Sequence, residues 1–422
     1  KLAELNASVA LTPASTLKVI TTASALELLG ASYRFRTELL ADNAQKRKLI
    51  IRGSGDPTLG SEHFVGGATD FIAKWIDEIR KVFPNGVSEI EVDDSCFGYA
   101  GVSRKWLRED MGNYYASGAY GVSVFDNTYK LFFDTSDKTD RPKILKTDPE
   151  DLFGLITFNN TLSLNSTGKD NGYIVGEPFS YSRLLLGDIP AGKAAFSIKG
   201  DIPDPGLYLG KTLAERLAQN GTVPSVHTLR GITSASPNAK AFYVHFSPPL
   251  KDIIRVVNVK SNNHYAEHLI RAVGRLSANN AAALENGVEL AGQLWQKKGL
   301  DVGSLFMYDG CGLSPSNAVS PQLLCDILSY MYVQSPYASA FTASFPKAGE
   351  EGTVRNFLKS TKLAGKVLVK SGSIANVQCY AGYCIDGEKQ YVFAVMVNNF
   401  RSNSRAEVVK AIERLLCDTL RR

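Results

Sequence analysis

"LTPASTLKVITTASALELLG", residues 11–30, opens with a proline-led turn, runs into an apolar segment and sets Ser15 and Lys18 three residues apart near its start. The spacing of Leu17, Ile20, Ala23, Ala25 and Leu28, with Gly30 as a stop, predicts a helix buried on most of its surface. On such a helix, residues three apart share a face, so Lys18 falls one turn beyond Ser15. Two readings follow. Ser15 is the N-cap of a buried helix with Lys18 snorkelling outward, or it is a nucleophile with its base within hydrogen-bond reach. A lysine serves as that base only when burial or a second cation depresses its pKa, so the pattern alone does not decide.

Composition narrows the field. With 422 residues, 44% of them hydrophobic and 10% aromatic, the chain builds a sizeable core and exceeds one ordinary domain. It has no apolar run of membrane-spanning length and starts at Lys1 without a signal-peptide pattern, so we expect a soluble, processed or trimmed product. The net charge of +5 is spread along the chain, and the one basic cluster, Lys46-Arg47-Lys48, has no interleaved aromatics, which argues against a nucleic-acid partner. The six cysteines form no CxxC pair and so no zinc ribbon or thioredoxin pattern. Cys379 and Cys384, an odd number apart on one predicted strand, point to opposite faces and are not expected to pair.

Along the chain, "KRKLIIRGSGDPTLG" reads as a strand ending in a turn, "TDFIAKWIDEIRKVF" as an amphipathic helix capped by Thr69 or Asp70, and "VSEIEVDD" as a strand. Residues 94–122 are loop-like and aromatic, a pattern that more often closes a core than grips a ligand. Residues 131–205 read as short β runs, with helical spacing only in "DPEDLFGLI". "PGLYLGKTLAERLAQNG" is a helix and "AFYVHF" a strand. Beyond about residue 250 the chain is helix-rich, then ends in three strands and the helix "SRAEVVKAIERLLCDTL". We expect the first helix and the last three strands to build one domain, split by everything between. The class is α+β.

Two further segments favour the nucleophile. "VKSNNHYAEHL" places Ser261 and Asn263 at a turn before a helix, and "VLVKSGSIANV" places Lys370, Ser371, Gly372 and Ser373 on a β run. An SxxK, an S-x-N and a K-T-G, here K-S-G, in this chain order are the motif set of class A β-lactamases and penicillin-binding proteins. The chemistry accounts for the set. Ser261 and Lys370 relay protons and hold positive potential near Lys18, the Asn263 amide orients a peptide carbonyl, and the hydroxyls of Ser371 and Ser373 suit a free carboxylate. Backbone N–H groups of Ser15 and Ser373 would form an oxyanion hole.

The chain resembles the class C low-molecular-mass penicillin-binding proteins of the D-Ala-D-Ala carboxypeptidase/endopeptidase type, peptidase family S13. Besides the three motifs, "TPASTLKVITTASALELLG", "GSGDPTL", "SNNHYAEHLIRAVG", "DGCGLSPSNAVSP", "AGEEGTVR" and "AGYCIDG" carry the likeness, over nearly the whole length. It implies a transpeptidase-like domain with an antiparallel sheet and a helical subdomain, interrupted by nested inserts. We assign 1–40 and 245–422 to it, 41–130 and 206–244 to an inserted second domain, and 131–205 to a β-rich third. It implies an extracytoplasmic enzyme, in the periplasm or cell envelope, acting on peptidoglycan stem peptides and acylated by β-lactams. No cofactor or metal is called for, peripheral membrane contact stays open, and a β-lactamase or a non-catalytic penicillin-binding sensor are the competing readings. By the same resemblance, "KWLREDMGNYY" recognises the amine-bearing end of the stem peptide, with Glu109 as first choice for the ammonium, Asp110 second, and Trp106 and Tyr114 flanking.

Three departures from the family stand out. The third motif is K-S-G-S where threonine is commoner after the lysine, which predicts altered affinity with activity retained. The segment expected before the first helix is missing, leaving residues 1–10 as the tail of a strand, and Cys311 stands where serine is frequent. His264, Glu267 and His268 spell H-x-x-E-H, an inverted zincin pattern, but with no third ligand in view they read as helix-packing or solvent-facing residues.

Overall fold

The computed structural model describes the chain except for residues 43–44, 65–66, 138–140, 232–235, 237, 278–281 and 421–422 and the side chains of 67–69 and 402. In chain order the elements are α1 (Lys18–Leu29), β1 (Arg36–Asp42), β2 (Lys48–Arg52), α2 (Gly67–Val82), β3 (Glu89–Asp93), β4 (Thr128–Asp134) and β5 (Lys143–Asp148). Six short strands follow: β6 (Thr157–Asn160), β7 (Ser163–Asn165), β8 (Tyr173–Val175), β9 (Ser182–Leu186), β10 (Asp188–Pro190) and β11 (Phe196–Asp201). Then come α3 (Pro205–Leu217), β12 (Ser225–Leu229), β13 (Ala239–Phe246), α4 (Leu250–Lys260), α5 (Asn263–Gly274), α6 (Ala283–Lys297), α7 (Pro321–Val333) and α8 (Ala338–Ala343). The chain closes with β14 (Val367–Ile374), β15 (Val377–Asp386), β16 (Lys389–Asn398) and α9 (Arg405–Leu420).

Two compact units result. The first joins residues 1–35, 103–105 and 248–422, and the second holds 36–102 and 106–247. The first unit pairs the N-terminal helix with the C-terminal sheet, β14-β15-β16, antiparallel throughout. β15 is buried on both faces, and Cys379 and Cys384 fall in separate apolar clusters, one with Ala14 and one with α9, as the odd spacing requires. No disulfide links the six cysteines. Helix α1 is buried from Lys18 to Leu26 and packs against α4, α5, α6 and α7, with Trp295 Nε1 donating to Ser24 Oγ at 2.9 Å.

The second unit is built on a five-stranded sheet, β12-β3-β2-β1-β13, parallel across β12-β3-β2 and antiparallel across β2-β1-β13. Residues 131–205 form small sheets, β11-β4-β5, β6-β9-β8 and β10-β7. Their Leu131, Phe133, Ile189 and Ile198 share one apolar cluster with Ile72, Trp75 and Ile79 of α2. Arg183, fully buried, is held by Asp201 at 2.8 Å.

Local expectations fail where capping or pairing is decided beyond the local sequence. Helix α2 begins at Gly67, so Asp70 lies in its first turn and not at its cap, and the Thr69 side chain lies outside the described residues. "DPEDLFGLI" yields only a 3-10 turn at Glu150–Gly154. Residues 1–10 hold turns and no strand, and Leu11 makes a lone bridge to Val319. The aromatic loop divides: Phe97, Trp106 and Tyr120 are buried, whereas Tyr99 and Tyr114 are exposed.

Candidate active site

Ser15 lies in a 3-10 turn, Ala14–Leu17, that leads into α1. It does not cap the helix, because the turn is braced by Thr16, whose Oγ1 and N both donate to the Pro13 carbonyl, at 2.7 and 3.2 Å. Ala14, Thr16, Leu17 and Lys18 are buried while Ser15 keeps partial access to solvent. Ala14 holds a left-handed φ of 47°, a conformation that costs a non-glycine residue about 1 kcal/mol or more and turns the chain sharply into the helix.

Lys18, completely buried, points its ammonium at three oxygens: Ser15 Oγ at 2.8 Å, Asn263 Oδ1 at 2.6 Å and the Cys311 carbonyl at 2.6 Å. Burial lowers its pKa below the usual lysine value, against the opposing charges of Asp309 and Glu267. That is the condition under which the amine can take the Ser15 proton.

The second motif sits between two helices. Ser261 ends α4 in a left-handed conformation with φ 55°, and Asn262 caps α5 by accepting the Tyr265 N–H at 2.9 Å. This sharp reversal sets Asn263, first residue of α5, with its amide oxygen against Lys18.

The third motif lies on edge strand β14. Lys370 Nζ donates to Ser261 Oγ at 2.9 Å and to the Ser371 carbonyl at 2.6 Å. Burial pushes the Lys370 ammonium well below its usual pKa, and repulsion from Lys18 adds to the shift. Gly372 allows the strand to approach the 3-10 turn that carries Ser15: a β-carbon there would stand 2.5 Å from the Pro13 carbonyl oxygen and 3.0 Å from Ser15 N. Ser371 and Ser373 alternate with the buried Lys370 and Gly372 along the strand.

Ser15, Lys18, Ser261, Asn263, Lys370 and Ser371 are thus joined or flanked by hydrogen bonds within one unit. Three participants escaped sequence reasoning. Thr353, from "AGEEGTVR", shares a 2.8 Å hydroxyl–hydroxyl hydrogen bond with Ser371. The Cys311 carbonyl holds Lys18 whatever the side chain at that position. Glu267 accepts from Gly310 N at 2.7 Å and Cys311 N at 2.9 Å and pairs with Arg271 at 2.5 Å, so the carboxylate of the H-x-x-E-H pattern is already engaged. His264 and His268 are buried, their rings 4.3 Å apart, and so pack within the helical core.

Trp106, Glu109, Asp110 and Tyr114 belong to the second unit. Glu109, Asp110 and Tyr114 line a cavity of about 480 Å³ with Tyr115, Asp170 and Tyr173, while Trp106 is buried and does not line it. Asn113 braces this loop, donating to the Glu109 and Asp110 carbonyls and accepting from Ile174 N at 2.9 Å. Burial raises the Asp110 carboxyl above its usual pKa, and its Oδ1 accepts from the Tyr115 hydroxyl at 3.1 Å.

The profile of the D-Ala-D-Ala carboxypeptidase 3 (S13) family matches residues 1–418. The chain is 27% identical, over 95% of its length and 76% of the relative's, to a D-alanyl-D-alanine carboxypeptidase of Actinomadura. It is 24% identical to the D-alanyl-D-alanine carboxypeptidase DacB of Haemophilus influenzae, over 99% of this chain and 88% of that one. The crystal structure of penicillin binding protein 4 from Haemophilus influenzae shares the fold, with a TM-score of 0.81, 21% identity, and coverage of 99% of this chain and 93% of that one.

Proposed function

This chain belongs to the D-Ala-D-Ala carboxypeptidase 3 (S13) family, and from that membership we propose which of its groups perform each step of the reaction. The chain is a serine-type D-Ala-D-Ala carboxypeptidase/endopeptidase that acts on peptidoglycan through an acyl-enzyme. Ser15 Oγ attacks the carbonyl carbon of the penultimate D-alanine while Lys18 takes the hydroxyl proton. The tetrahedral intermediate collapses as the C–N bond breaks, and the proton held on Lys18 passes through Ser261, braced by Lys370, to the leaving amine, which leaves Lys18 neutral. Water then attacks the ester while Lys18 takes its proton, and as the second tetrahedral intermediate collapses Lys18 returns that proton to Ser15 Oγ, restoring the hydroxyl.

Positioning falls to the remaining groups. The N–H groups of Ser15 and Ser373 receive the oxyanion. Asn263, with Oδ1 turned to Lys18, presents its NH₂ to a peptide carbonyl of the substrate. Ser371, Ser373 and Lys370 take the terminal carboxylate, and binding that anion stabilises the ammonium form of Lys370 that burial disfavours. In the second unit, the cavity lined by Glu109 receives the amine-bearing end of the stem peptide; with Asp110 engaged by Tyr115, Glu109 is the partner for the ammonium. Since the substrate is cell-wall peptidoglycan, the enzyme works outside the cytoplasmic membrane. Among the described residues no helix is long and apolar enough to cross one.

One observation carries the assignment: a fully buried lysine whose amine reaches Ser15 Oγ at 2.8 Å and has its proton affinity lowered by burial. Intact-protein mass after brief exposure to benzylpenicillin, mapped to the peptide containing Ser15, tests it. A lasting penicilloyl adduct there, abolished by Ser15→Ala together with D-alanine release, is the expected result. An adduct on another residue overturns the assignment, and an adduct that forms and hydrolyses rapidly moves the reading to a β-lactamase.

A further inference from the structure

Glu267 takes no part in the chemistry above, yet it is completely buried beside the equally buried Arg271. Buried charges are costly unless fully bonded. Here every oxygen is used: Oε2 meets Arg271 Nη1 at 2.5 Å, and Oε1 accepts both Gly310 N at 2.7 Å and Cys311 N at 2.9 Å. The next group along the chain is the Cys311 carbonyl, which accepts from Lys18 Nζ at 2.6 Å. Glu267 therefore grips the N–H of the residue whose C=O grips the lysine.

The turn around that peptide is anchored on its other sides as well. Asp309 accepts from Gly312 N and Ser314 N, each at 2.7 Å, and from Asn317 Nδ2 at 2.8 Å, while Thr21 Oγ1 donates to the Gly310 carbonyl at 2.6 Å. Gly312 lies against the nucleophile turn, where a β-carbon would stand 1.9 Å from the Ala14 carbonyl oxygen. Of these anchors, Glu267 alone holds the Cys311 N–H among the described bonds. The Cys311 carbonyl belongs to the adjoining Cys311–Gly312 peptide, whose N–H Asp309 holds, so a slip of Cys311 out of the grip of Glu267 turns that carbonyl away from Lys18 and lets the amine leave the line to Ser15 Oγ.

We propose that Glu267 is a positioning residue for Lys18, acting through the Gly310–Cys311 peptide with Arg271 as its counter-charge. The inference rests on the reading of Lys18 as the base and adds to it a buried clamp that keeps the amine aimed at Ser15.

The test compares three variants by the rate of Ser15 acylation with benzylpenicillin, each with its thermal melt. Glu267→Gln/Arg271→Met removes both charges and keeps an acceptor for the two N–H groups. Glu267→Met/Arg271→Met removes the acceptor as well. Both avoid stranding a buried cation. The Gln variant is expected to acylate about as fast as the parent, and the Met variant about 100-fold slower, the scale set by an ångström of misplacement. The loss falls in the rate constant at saturating penicillin and leaves the half-saturating concentration unchanged. Glu267→Asp, which keeps the charge and shortens the reach by one methylene, is expected to slow acylation about 10-fold at unchanged secondary structure, and it carries the test should the Met variant not fold. Equal slowing of the Gln and Met variants in step with their melting temperatures, or a Glu267→Asp enzyme as fast as the parent, overturns the inference. A parent protein that forms no adduct at Ser15 strikes the catalytic reading itself, which keeps the two failures distinct.

Discussion

Gly372 and Pro13 meet backbone to backbone: a β-carbon on the glycine would lie 2.5 Å from the Pro13 carbonyl oxygen. This close approach brings the third motif against the nucleophile turn. Gly372 is not among the residues with positive φ, so its requirement is one of space and not of conformation. Gly372→Ala is expected to push β14 off the turn and to slow penicillin acylation by about 100-fold, with far less effect on thermal stability. Acylation within a few-fold of the parent enzyme would show that the contact is not needed.

Under the proposed role of Ser371, its hydrogen bond with Thr353 offers a second handle on the carboxylate end of the substrate. Serine lacks the β-branch that restricts the rotamer of threonine, so the 2.8 Å bond from Thr353 does for Ser371 what a γ-methyl would otherwise do. Thr353→Val keeps the shape and removes the hydroxyl. A neutral hydrogen bond is worth about 1 kcal/mol, so KM for a D-Ala-D-Ala peptide should rise about 5-fold with kcat little changed. Ser371→Thr in the same protein should recover the loss, and failure to recover it would assign Thr353 a different part.

Binding of the terminal carboxylate should take up protons. In the empty site burial holds the Lys370 pKa well below 10.5, and an anion placed beside it raises the pKa again. Where the pH lies between those two values, the complex binds more protons than the free protein, so affinity falls as pH rises through that window. Titration calorimetry of the Ser15→Ala protein in buffers of different ionisation enthalpy measures the uptake directly. Zero uptake across the neutral to alkaline range would mean that Lys370 does not titrate with the ligand.

In the second unit, burial raises the pKa of Asp94 from 3.8 to about 8, with the Asp204 charge adding to the effect and hydrogen bonds opposing it. Its Oδ1 accepts from Val122 N at 2.7 Å. The folded state therefore holds a proton that the unfolded state releases at acid pH, and stability from this group falls as pH climbs from about 4 through about 8. Asp94→Asn keeps the acceptor for Val122 and abolishes the titration. Denaturant melts across pH 5 to 9 should show a flatter stability profile in the variant, with its largest advantage over the parent at the alkaline end. Parallel profiles would contradict the shift.

Much of the site was legible in the sequence because its parts are local. Ser15, in the 3-10 turn, and Lys18, at the start of α1, are three residues apart and within hydrogen-bond reach, Asn262 caps the helix that begins at Asn263, and Lys370 to Ser373 alternate along a strand. Periodicity and capping chemistry specify each of these within a few residues. What such reasoning could not supply were contacts between segments far apart in the chain. Lys18 meets Asn263 across 245 positions and the Cys311 carbonyl across 293, and Thr353 reaches Ser371 from a turn with no motif of its own.

The sequence by itself determined which chemistry this protein carries: a helix-borne serine with its lysine, and two more motifs in the order of a known enzyme class. Only the tertiary structure decided the state of those groups. A lysine lowers its proton affinity when the fold removes water from it, and a carbonyl or carboxylate positions it when distant loops close around it. Desolvation and long-range packing belong to the folded chain as a whole, and no window of neighbouring residues contains them.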